Sequence, residues 1–202
     1  MICARLVGLL LPLGLLTACH SSTAQSGMPA PDQQMNQAKP VAEPLTLPLV
    51  NPAIEVQKGA RKLLLYSGGR IVRSYHIGLG LSPEGDKVRE GDRRTPEGEF
   101  YIFTKNPKSS YYLSLGVSYP NLAHAERGLR AGLITQAQYD RIVDALKRRV
   151  GPPQNTPHGG LIYIHGNGAR TDWTWGCVAL ENEDIRELYD AVAVGTPVVI
   201  KP

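Results

Sequence analysis

The sequence has few cysteines, no long hydrophobic run and little excess charge. Its 22 Lys and Arg against 18 Asp and Glu give a net charge of +4, which is too small and too scattered to indicate a nucleic-acid-binding protein. The apolar run at residues 6–16 is shorter than the roughly 20 residues that a membrane-spanning helix needs. With 202 residues, 42% of them hydrophobic, the chain is predicted to form one sizeable domain with appendages.

The first 19 residues have the organisation of an export signal. Arg5 precedes the apolar run, and Leu16-Thr17-Ala18-Cys19 follows it. This ending resembles the bacterial lipobox, in which the cysteine receives lipid and becomes the mature N-terminus. We therefore expect a signal peptide at residues 1–18 and a membrane anchor at Cys19; the alternative is an ordinary signal peptide with an incidental cysteine. His20 stands where an aspartate would favour inner-membrane retention, so the expected location is the periplasm, at the outer membrane of a Gram-negative bacterium.

A polar segment separates this signal from the rest of the chain. Residues 19–53 are rich in Ser, Gln, Ala and Pro and are predicted to be a flexible tether that leads to a catalytic domain at residues 54–202. After export, Cys177 is the one thiol left unmodified, in a compartment that oxidises thiols. Because an unused thiol is a liability there, this cysteine is predicted to be functional.

After residue 53 the sequence changes to short apolar runs separated by turns and long loops. A Ser67-Gly68-Gly69 turn between two such runs predicts a β-hairpin. A capping box of Thr135 with Gln138 predicts the start of a helix, and a second helix is predicted to begin near Asn182. The predicted fold class is mainly β with helical insertions (α+β), built on a β-sandwich-like core. The predicted strands lie at 54–56, 62–66, 70–77, 98–103, 111–115, 161–164 and 197–200.

A histidine and a cysteine with neighbouring glycines form the most informative pattern. An apolar strand ends at His165, and Cys177 follows twelve residues later, just before a helix. A thiol is a nucleophile only as the thiolate, and a nearby imidazole can take its proton. Gly166 lets the loop fold the two together, and Gly176 clears a path for a carbonyl carbon and frees backbone N–H groups for an oxyanion. Cys177 is the predicted nucleophile and His165 its base.

Residues beside this pair are predicted to support it. Trp173 and Trp175 are expected to wall a groove and hold apolar parts of a substrate. Thr174 lies between them and is expected to support the site. Asp172 is a weaker candidate to orient His165 or to contact the substrate, and an exposed loop aspartate is an equally good interpretation.

Other interpretations compete with catalysis. Cys177 can be a small buried hydrophobe, and His165 a strand-end histidine whose hydrogen bonds are satisfied. A metal site would draw on His158 and Asp172 as well, but their spacing matches no zinc pattern and the sequence has no Cys-x-x-Cys. The glycines at residues 78–82 lack the following helix and the Lys-Ser/Thr pair of a nucleotide cradle. No metal, cofactor or nucleic-acid partner is expected.

Two segments of the predicted domain carry a recognisable pattern. One is Gly91-Asp92-Arg93-Arg94-Thr95-Pro96-Glu97-Gly98-Glu99-Phe100-Tyr101-Ile102, and the other is His165-Gly166 followed by Thr174-Trp175-Gly176-Cys177-Val178-Ala179-Leu180-Glu181-Asn182. Together with the hairpin at residues 54–80 they resemble the L,D-transpeptidase (YkuD) catalytic domain family over residues 54–202. The resemblance implies the YkuD-type fold and a cysteine enzyme acting on peptidoglycan stem peptides. It implies that Cys177 attacks the bond after meso-diaminopimelate, that D-Ala is released, and that an amine resolves the acyl-enzyme.

The sequence departs from this family pattern at two positions. Trp175 replaces the histidine of the common Ser-His-Gly-Cys sequence, and Ala179 replaces an arginine two residues after the cysteine. Residues 113–121 and the helical insert that follows are similar to the YafK-like branch, which includes a hydrolase that releases a lipoprotein from peptidoglycan. A hydrolase, amidase or L,D-carboxypeptidase that uses water as the acceptor is therefore an alternative to transpeptidation. A catalytically silent wall-binding lipoprotein is a second alternative.

Overall fold

The computed structural model describes residues 43–202. The predicted signal peptide, the predicted anchor Cys19 and the first part of the predicted tether lie outside these residues. Leu45 and Leu49 are partly buried against the main core, so the packed part of the chain begins before the predicted boundary at residue 54. Within the described range, no helix has the length and apolar character needed to cross a membrane.

Eight strands form a single sheet. They are β1 (Ala53–Gln57), β2 (Lys62–Ser67), β3 (Arg70–His76), β4 (Gly98–Ser109), β5 (Tyr112–Val117), β6 (Tyr163–His165), β7 (Val178–Ala179) and β8 (Pro197–Lys201). Their order across the sheet is β3-β2-β1-β8-β4-β5-β6-β7. Two neighbouring pairs are parallel, β1 with β8 and β6 with β7, and the other pairs are antiparallel.

Three helices accompany this sheet: α1 (Leu122–Arg130), α2 (Gln136–Lys147) and α3 (Asn182–Ala191). The predicted capping box is confirmed, because the Thr135 side chain accepts from the Gln138 N–H and the Gln138 side chain accepts from the Thr135 N–H. The first two helices form an insert between β5 and β6 with a small core of its own, made of Ala125, Ile134 and Ile142. The third helix contributes Ile185 and Leu188 to the main core.

The prediction of a mainly β domain with helical insertions is confirmed. The predicted hairpin turn is present, and both Gly68 and Gly69 adopt positive φ angles of 56° and 77°, which suits a tight hairpin connection. The fourth strand is longer than predicted, since β4 continues to Ser109. Its second half is polar and largely exposed, so it lacks the apolar alternation that identifies the other strands.

Candidate active site

The parallel pairing of β6 and β7 places the predicted nucleophile beside the predicted base. Ile164 is in register with Val178, and both are fully buried in the main core. Because successive side chains of a strand point to opposite faces, Cys177 and His165 lie on the face opposite to this buried pair. The Tyr163 N–H donates to the Cys177 Sγ at 3.4 Å, which fixes the position of the sulfur.

Both residues open into one pocket of about 430 Å³. The pocket is walled by the β4–β5 hairpin on one side and by the loop between β6 and β7 on the other. The structure therefore brings together most of the predicted site residues, together with several that were not predicted. The lining consists of Asn106, Lys108, Ser109, Ser110, Tyr111, Ser114, Leu161, Tyr163, His165, Trp173, Thr174, Trp175 and Cys177.

The imidazole of His165 is held in one orientation and is 2% exposed. Its Nδ1 lies 2.7 Å from the Gly166 carbonyl oxygen; since a carbonyl can only accept, Nδ1 is the donor and Nε2 carries the free lone pair. The Tyr111 ring stacks on the imidazole at a centroid distance of 4.6 Å, and Trp173 meets it edge-on at 5.5 Å. Burial lowers the pKa of His165. The side chain is therefore a neutral base whose accepting nitrogen is Nε2.

The thiol of Cys177 is protonated at neutral pH. Burial raises its pKa to about 11, and the hydrogen bond from the Tyr163 N–H opposes that rise. The protonated sulfur is 3.4 Å from the Leu161 carbonyl oxygen, to which it donates. Cys177 and His165 thus form a neutral thiol and imidazole pair in the resting protein, with both groups facing the same pocket.

The backbone between the tryptophan and the nucleophile is tightly constrained. Gly176 has a φ of +127°, and a Cβ at this position would lie 2.6 Å from the Arg94 carbonyl oxygen. The Gly176 N–H donates to Thr174 Oγ1 at 3.1 Å, and that hydroxyl donates to the Cys177 carbonyl oxygen at 2.8 Å. The family resemblance implies an oxyanion hole made by the backbone around Gly176 and Cys177, which stays a prediction. In the structure the Gly176 N–H donates to Thr174, so Thr174 supports the turn that presents the sulfur.

Gly166 has a packing role at the other end of the loop. Its N–H donates to the Tyr111 carbonyl oxygen at 3.0 Å, and a Cβ here would lie 2.6 Å from Asn182 Oδ1. A side chain would therefore push the loop away from α3 and from Tyr111. The close approach keeps the Gly166 carbonyl within reach of the His165 ring.

The two tryptophans lie on different parts of the pocket wall. Trp173 donates from Nε1 to the Gly168 carbonyl oxygen at 3.0 Å and packs on His165. Trp175 is 67% exposed, and the Arg93 guanidinium lies 4.7 Å above its ring. Trp173 is thus a fixed inner wall, and Trp175 is a rim residue that can contact a ligand.

Asp172 has partners other than those suggested from the sequence. Its carboxylate forms an ion pair with Arg61 at 2.6 Å and accepts from the Leu79 N–H at 2.8 Å. It is not among the residues that line the Cys177 pocket. These bonds fasten the start of the Trp173 segment to the chain around β2 and β3, so the observed role is to hold the loop in place.

The residues considered for a metal site are dispersed. His158 lies beside the helical insert, where its Nδ1 bonds the Val88 carbonyl oxygen at 3.1 Å. Across residues 43–202, no group of three His, Cys, Asp or Glu side chains is arranged to hold a metal ion.

The model of the YkuD L,D-transpeptidase catalytic domain family matches residues 51–200. The chain belongs to this family. Members act on peptidoglycan stem peptides, and membership supports a transferase activity in general terms. The predicted YkuD-type fold and family resemblance are confirmed, while the YafK-like branch stays a prediction. No curated protein matches the chain.

Several solved structures are similar to the chain. The cell shape determining protein Pgp2 (K307A mutant) of Campylobacter jejuni is 24% identical with a TM-score of 0.52, over 76% of this chain and 47% of that one. Bd1075 of Bdellovibrio bacteriovorus is 23% identical with a TM-score of 0.49, over 76% and 48%. An L,D-transpeptidase of Xylanimonas cellulosilytica is 17% identical with a TM-score of 0.46, over 79% and 65%. The chain thus spans about half the length of the first two proteins.

Ala179 stands where the common family pattern has an arginine, and this difference changes the charge of the pocket. Ala179 is fully buried and in register with His165, so this position supplies no cation. The charged residue that lines the pocket is Lys108, on the exposed part of β4. The positive charge in the Cys177 pocket therefore comes from Lys108 of the β4–β5 hairpin.

Several pocket residues escaped prediction because they come from distant parts of the chain. Tyr111 and Ser114 reach the pocket because β5 pairs with β6, with Ser114 in register with His165. Two-residue alternation along 111–115 indicates which side chains share a face, but it does not indicate which strand lies next to them. Leu161 and Tyr163 could have been found, since they alternate with buried Ile162 and Ile164 and therefore share the face of His165.

Substituting Gly176 with alanine is expected to destabilise the domain by about 3 kcal/mol or more. The new Cβ is strained at a φ of +127° and meets the Arg94 carbonyl oxygen at 2.6 Å, and each effect costs about 1–3 kcal/mol. The free energy of unfolding from denaturant titration measures the loss. Gly195→Ala is the matched control, because Gly195 has a φ of +93° and a Cβ added there would have no atom within 4 Å. Equal losses in the two variants would show that the Arg94 contact is unimportant.

Proposed function

We propose that this chain is a periplasmic cysteine enzyme that transfers the acyl group of a peptidoglycan stem peptide through a thioester on Cys177. The observation that carries the proposal is the shared pocket of a thiol and a neutral imidazole whose accepting nitrogen is Nε2. A thiol with a pKa of about 11 needs such a base at neutral pH.

Acylation is the first step. The Cys177 sulfur attacks the carbonyl carbon of the bond that follows the diaminopimelate residue, and the thiol proton passes to Nε2 of His165. A C–S bond forms and the carbonyl oxygen becomes an oxyanion. When the C–N bond breaks, the leaving amine of D-alanine takes the proton from His165. The products of the step are free D-alanine, a thioester on Cys177 and a neutral His165.

Transfer to an amine is the second step. The amine attacks the thioester carbon and its proton passes to His165. The C–S bond then breaks, and the departing sulfur of Cys177 takes the proton back from His165, so the resting pair is restored. In both steps we assign the oxyanion to the N–H of Cys177 itself, because the N–H of Gly176 is bonded to Thr174.

A second pocket at the sulfur supports an acceptor larger than water. A cavity of about 220 Å³ shares Leu161, Trp175 and Cys177 with the main pocket and continues toward the loop before β4. Cys177 therefore lines two cavities, so a substrate in one and an acceptor in the other would both lie against the residue that carries the thioester. This arrangement favours transpeptidation over hydrolysis.

Hydrolysis is the second candidate, and the exposure of the rim favours it. Leu161 and Trp175 flank the sulfur and are 61% and 67% exposed. A thioester between such walls is accessible to water unless the bound stem peptide covers it. Water as the acceptor would make the chain a carboxypeptidase or hydrolase with the same Cys177 thioester.

Product analysis separates these candidates. The full chain is incubated with tetrapeptide muropeptides, with and without a D-amino acid as acceptor, and the mixture is analysed by chromatography and mass spectrometry. Cross-linked or D-amino-acid-exchanged products support transpeptidation, whereas tripeptides and free D-alanine without new linkages support hydrolysis. Stoichiometric binding with no thioester and no product would refute both and favour a wall-binding protein.

The proposed location rests on residues 1–53. Cleavage before Cys19 and acylation of its sulfur would anchor the chain to the outer membrane, with residues 19–53 as the tether that reaches the peptidoglycan. Mass measurement of the protein extracted from membranes tests this, because processing removes residues 1–18 and adds acyl chains. A chain that keeps its first residues, or that starts after Cys19, would refute the lipid anchor.

A further inference from the structure

The second cavity at the sulfur contains a buried lysine that the proposed mechanism does not use. Lys87 lines the 220 Å³ cavity together with Cys177, and the residue is 2% exposed. A buried ammonium is costly unless it is paired. Its burial in a cavity that Cys177 also lines therefore calls for a physical reason.

The ammonium of Lys87 is held in place but is not fully bonded. Its Nζ lies 2.7 Å from Asp92 Oδ1 and 3.0 Å from the Arg89 carbonyl oxygen. An ammonium has three N–H donors, so these two acceptors leave one donor unused among the described residues.

The Asp92 carboxylate is the counter-ion of Lys87 and also accepts hydrogen bonds from the backbone. Its two carboxylate oxygens accept from the N–H groups of Val88, Arg89 and Arg94. Burial raises the pKa of Asp92, but the bonds from Lys87 and from these N–H groups together outweigh it, so the pKa lies below its usual value. Since the carboxylate is shared among several donors, it does not neutralise the ammonium alone.

We propose that the buried Lys87 ammonium stabilises the negative charge that develops at Cys177 when the thiol loses its proton. This inference rests on the proposed function in that Cys177 is taken as the nucleophile. Lys87 acts through Cys177 and is a positioning residue, since the two residues line the second cavity together. In agreement with the geometry, the positive charge of Lys87 lowers the pKa of Cys177 while burial raises it.

The pKa values of the neighbouring groups allow the effect of Lys87 on the Cys177 thiol to be measured by varying the pH. The charged and titratable groups near the two residues are Asp92, Glu90, His158, Arg127, His165 and Tyr163. Burial lowers the pKa of both histidines and raises that of Tyr163. Between pH 7 and 9 these shifts therefore keep the two histidines neutral and Tyr163 protonated, so they do not mask the ionisation of the thiol.

A second buried lysine provides a matched control. Lys58 is also 2% exposed and also lies 2.7 Å from a carboxylate, that of Glu97. Its remaining donors bond the carbonyl oxygens of Gly85 and Thr95, and it lines a different cavity that does not include Cys177. Removing either lysine costs the fold a similar ion pair, but Lys87 lines a cavity together with Cys177 and Lys58 does not.

The experiment measures the rate of iodoacetamide alkylation of Cys177 in the full chain between pH 7 and 9, with Cys3 and Cys19 both replaced by serine in every sample. Lys87→Met is expected to slow alkylation at pH 8 by about tenfold, the change that a one-unit rise in the thiol pKa produces. Lys58→Met is expected to stay within about twofold of the parent, and Lys87→Arg, which keeps the charge, within about threefold. Lys87→Gln keeps a donor to Asp92 without the charge and replaces Lys87→Met if that variant does not fold.

Two results would overturn the proposal: equal rates for Lys87→Met, Lys87→Gln and the parent, or an equal slowing by Lys58→Met, which would show a structural effect. The assay uses no peptidoglycan. A parent protein that forms no thioester with muropeptides would refute the proposed function and leave the alkylation result standing.

Discussion

Replacing Cys177 with alanine is expected to abolish thioester formation and to lower turnover of tetrapeptide muropeptides by about 10³-fold or more. In the proposed mechanism the nucleophile is this sulfur, which the Tyr163 N–H positions at 3.4 Å in the pocket that also holds the His165 imidazole. Mass spectrometry of the intact protein measures the result: the parent gains the mass of the acyl group, and the variant gains none.

Cys177→Ser is the matched control for size and polarity. A hydroxyl can accept from the Tyr163 N–H and donate to Leu161 as the thiol does, so the fold should be kept. A serine hydroxyl is a much weaker acid than a thiol, and the His165 ring is oriented by the Gly166 carbonyl rather than by a carboxylate that would stabilise the imidazolium. This variant should therefore also be inactive, with a thermal unfolding midpoint close to that of the parent. Product release by Cys177→Ala at the parental rate would show that another group attacks the stem peptide, or that water attacks it directly.

The protonation states of Cys177 and His165 determine which proton transfer the reaction needs. With a thiol pKa of about 11, about one Cys177 in ten thousand is ionised at pH 7. A preformed thiolate therefore contributes little, and the proton must leave as the sulfur attacks. In the proposed mechanism His165 is therefore a base in the reaction rather than the cationic half of an ion pair. The charge that we propose for Lys87 at Cys177 would then act directly on the rate.

The local features of the fold are predictable from the sequence, and the long-range ones are not. The glycine hairpin after Ser67 and the capping box at Thr135 depend on residues close in sequence, and both are present. The pairing of β6 with β7 involves two residues on the second strand, which is too short for a periodic signal. The chemistry and spacing of Cys177 and His165 predict that the two residues lie close together. The strand register that brings them to one pocket is known only from the structure.

The same distinction holds within the candidate site. Asp172 is a candidate from the sequence because it is next to Trp173, yet its carboxylate binds Arg61, 111 residues away. Lys87 is not a candidate from the sequence because nothing near it in the chain is catalytic, yet it lines a cavity with Cys177. The position of a buried charged side chain depends on the partner that offsets the cost of its desolvation. That partner can be far away in the sequence, so the sequence does not identify it.

Replacing His165 with glutamine is expected to lower the rate of acylation by about 10²–10⁴-fold, the usual contribution of a general base. Glutamine approximates the volume of the imidazole and can donate to the Gly166 carbonyl, but it accepts no proton. The rate is measured with the parent and the variant from pH 5 to 9. For the parent, the acid limb of kcat/KM should lie below pH 6.5, because burial lowers the pKa of His165 and the neutral form is the active one.

The sign of this pH dependence separates a neutral pair from an ion pair. A neutral pair predicts that iodoacetamide alkylation of Cys177 keeps rising with pH up to 9, since the thiol pKa lies near 11. An imidazolium and thiolate pair would instead give a plateau in alkylation rate above about pH 5, as in cysteine enzymes whose thiol pKa is lowered by histidine. Such a plateau, lost in His165→Gln, would show that the thiol is ionised before substrate binds. A rising profile together with a variant that loses acylation would place the proton transfer from Cys177 to His165 in the attack itself.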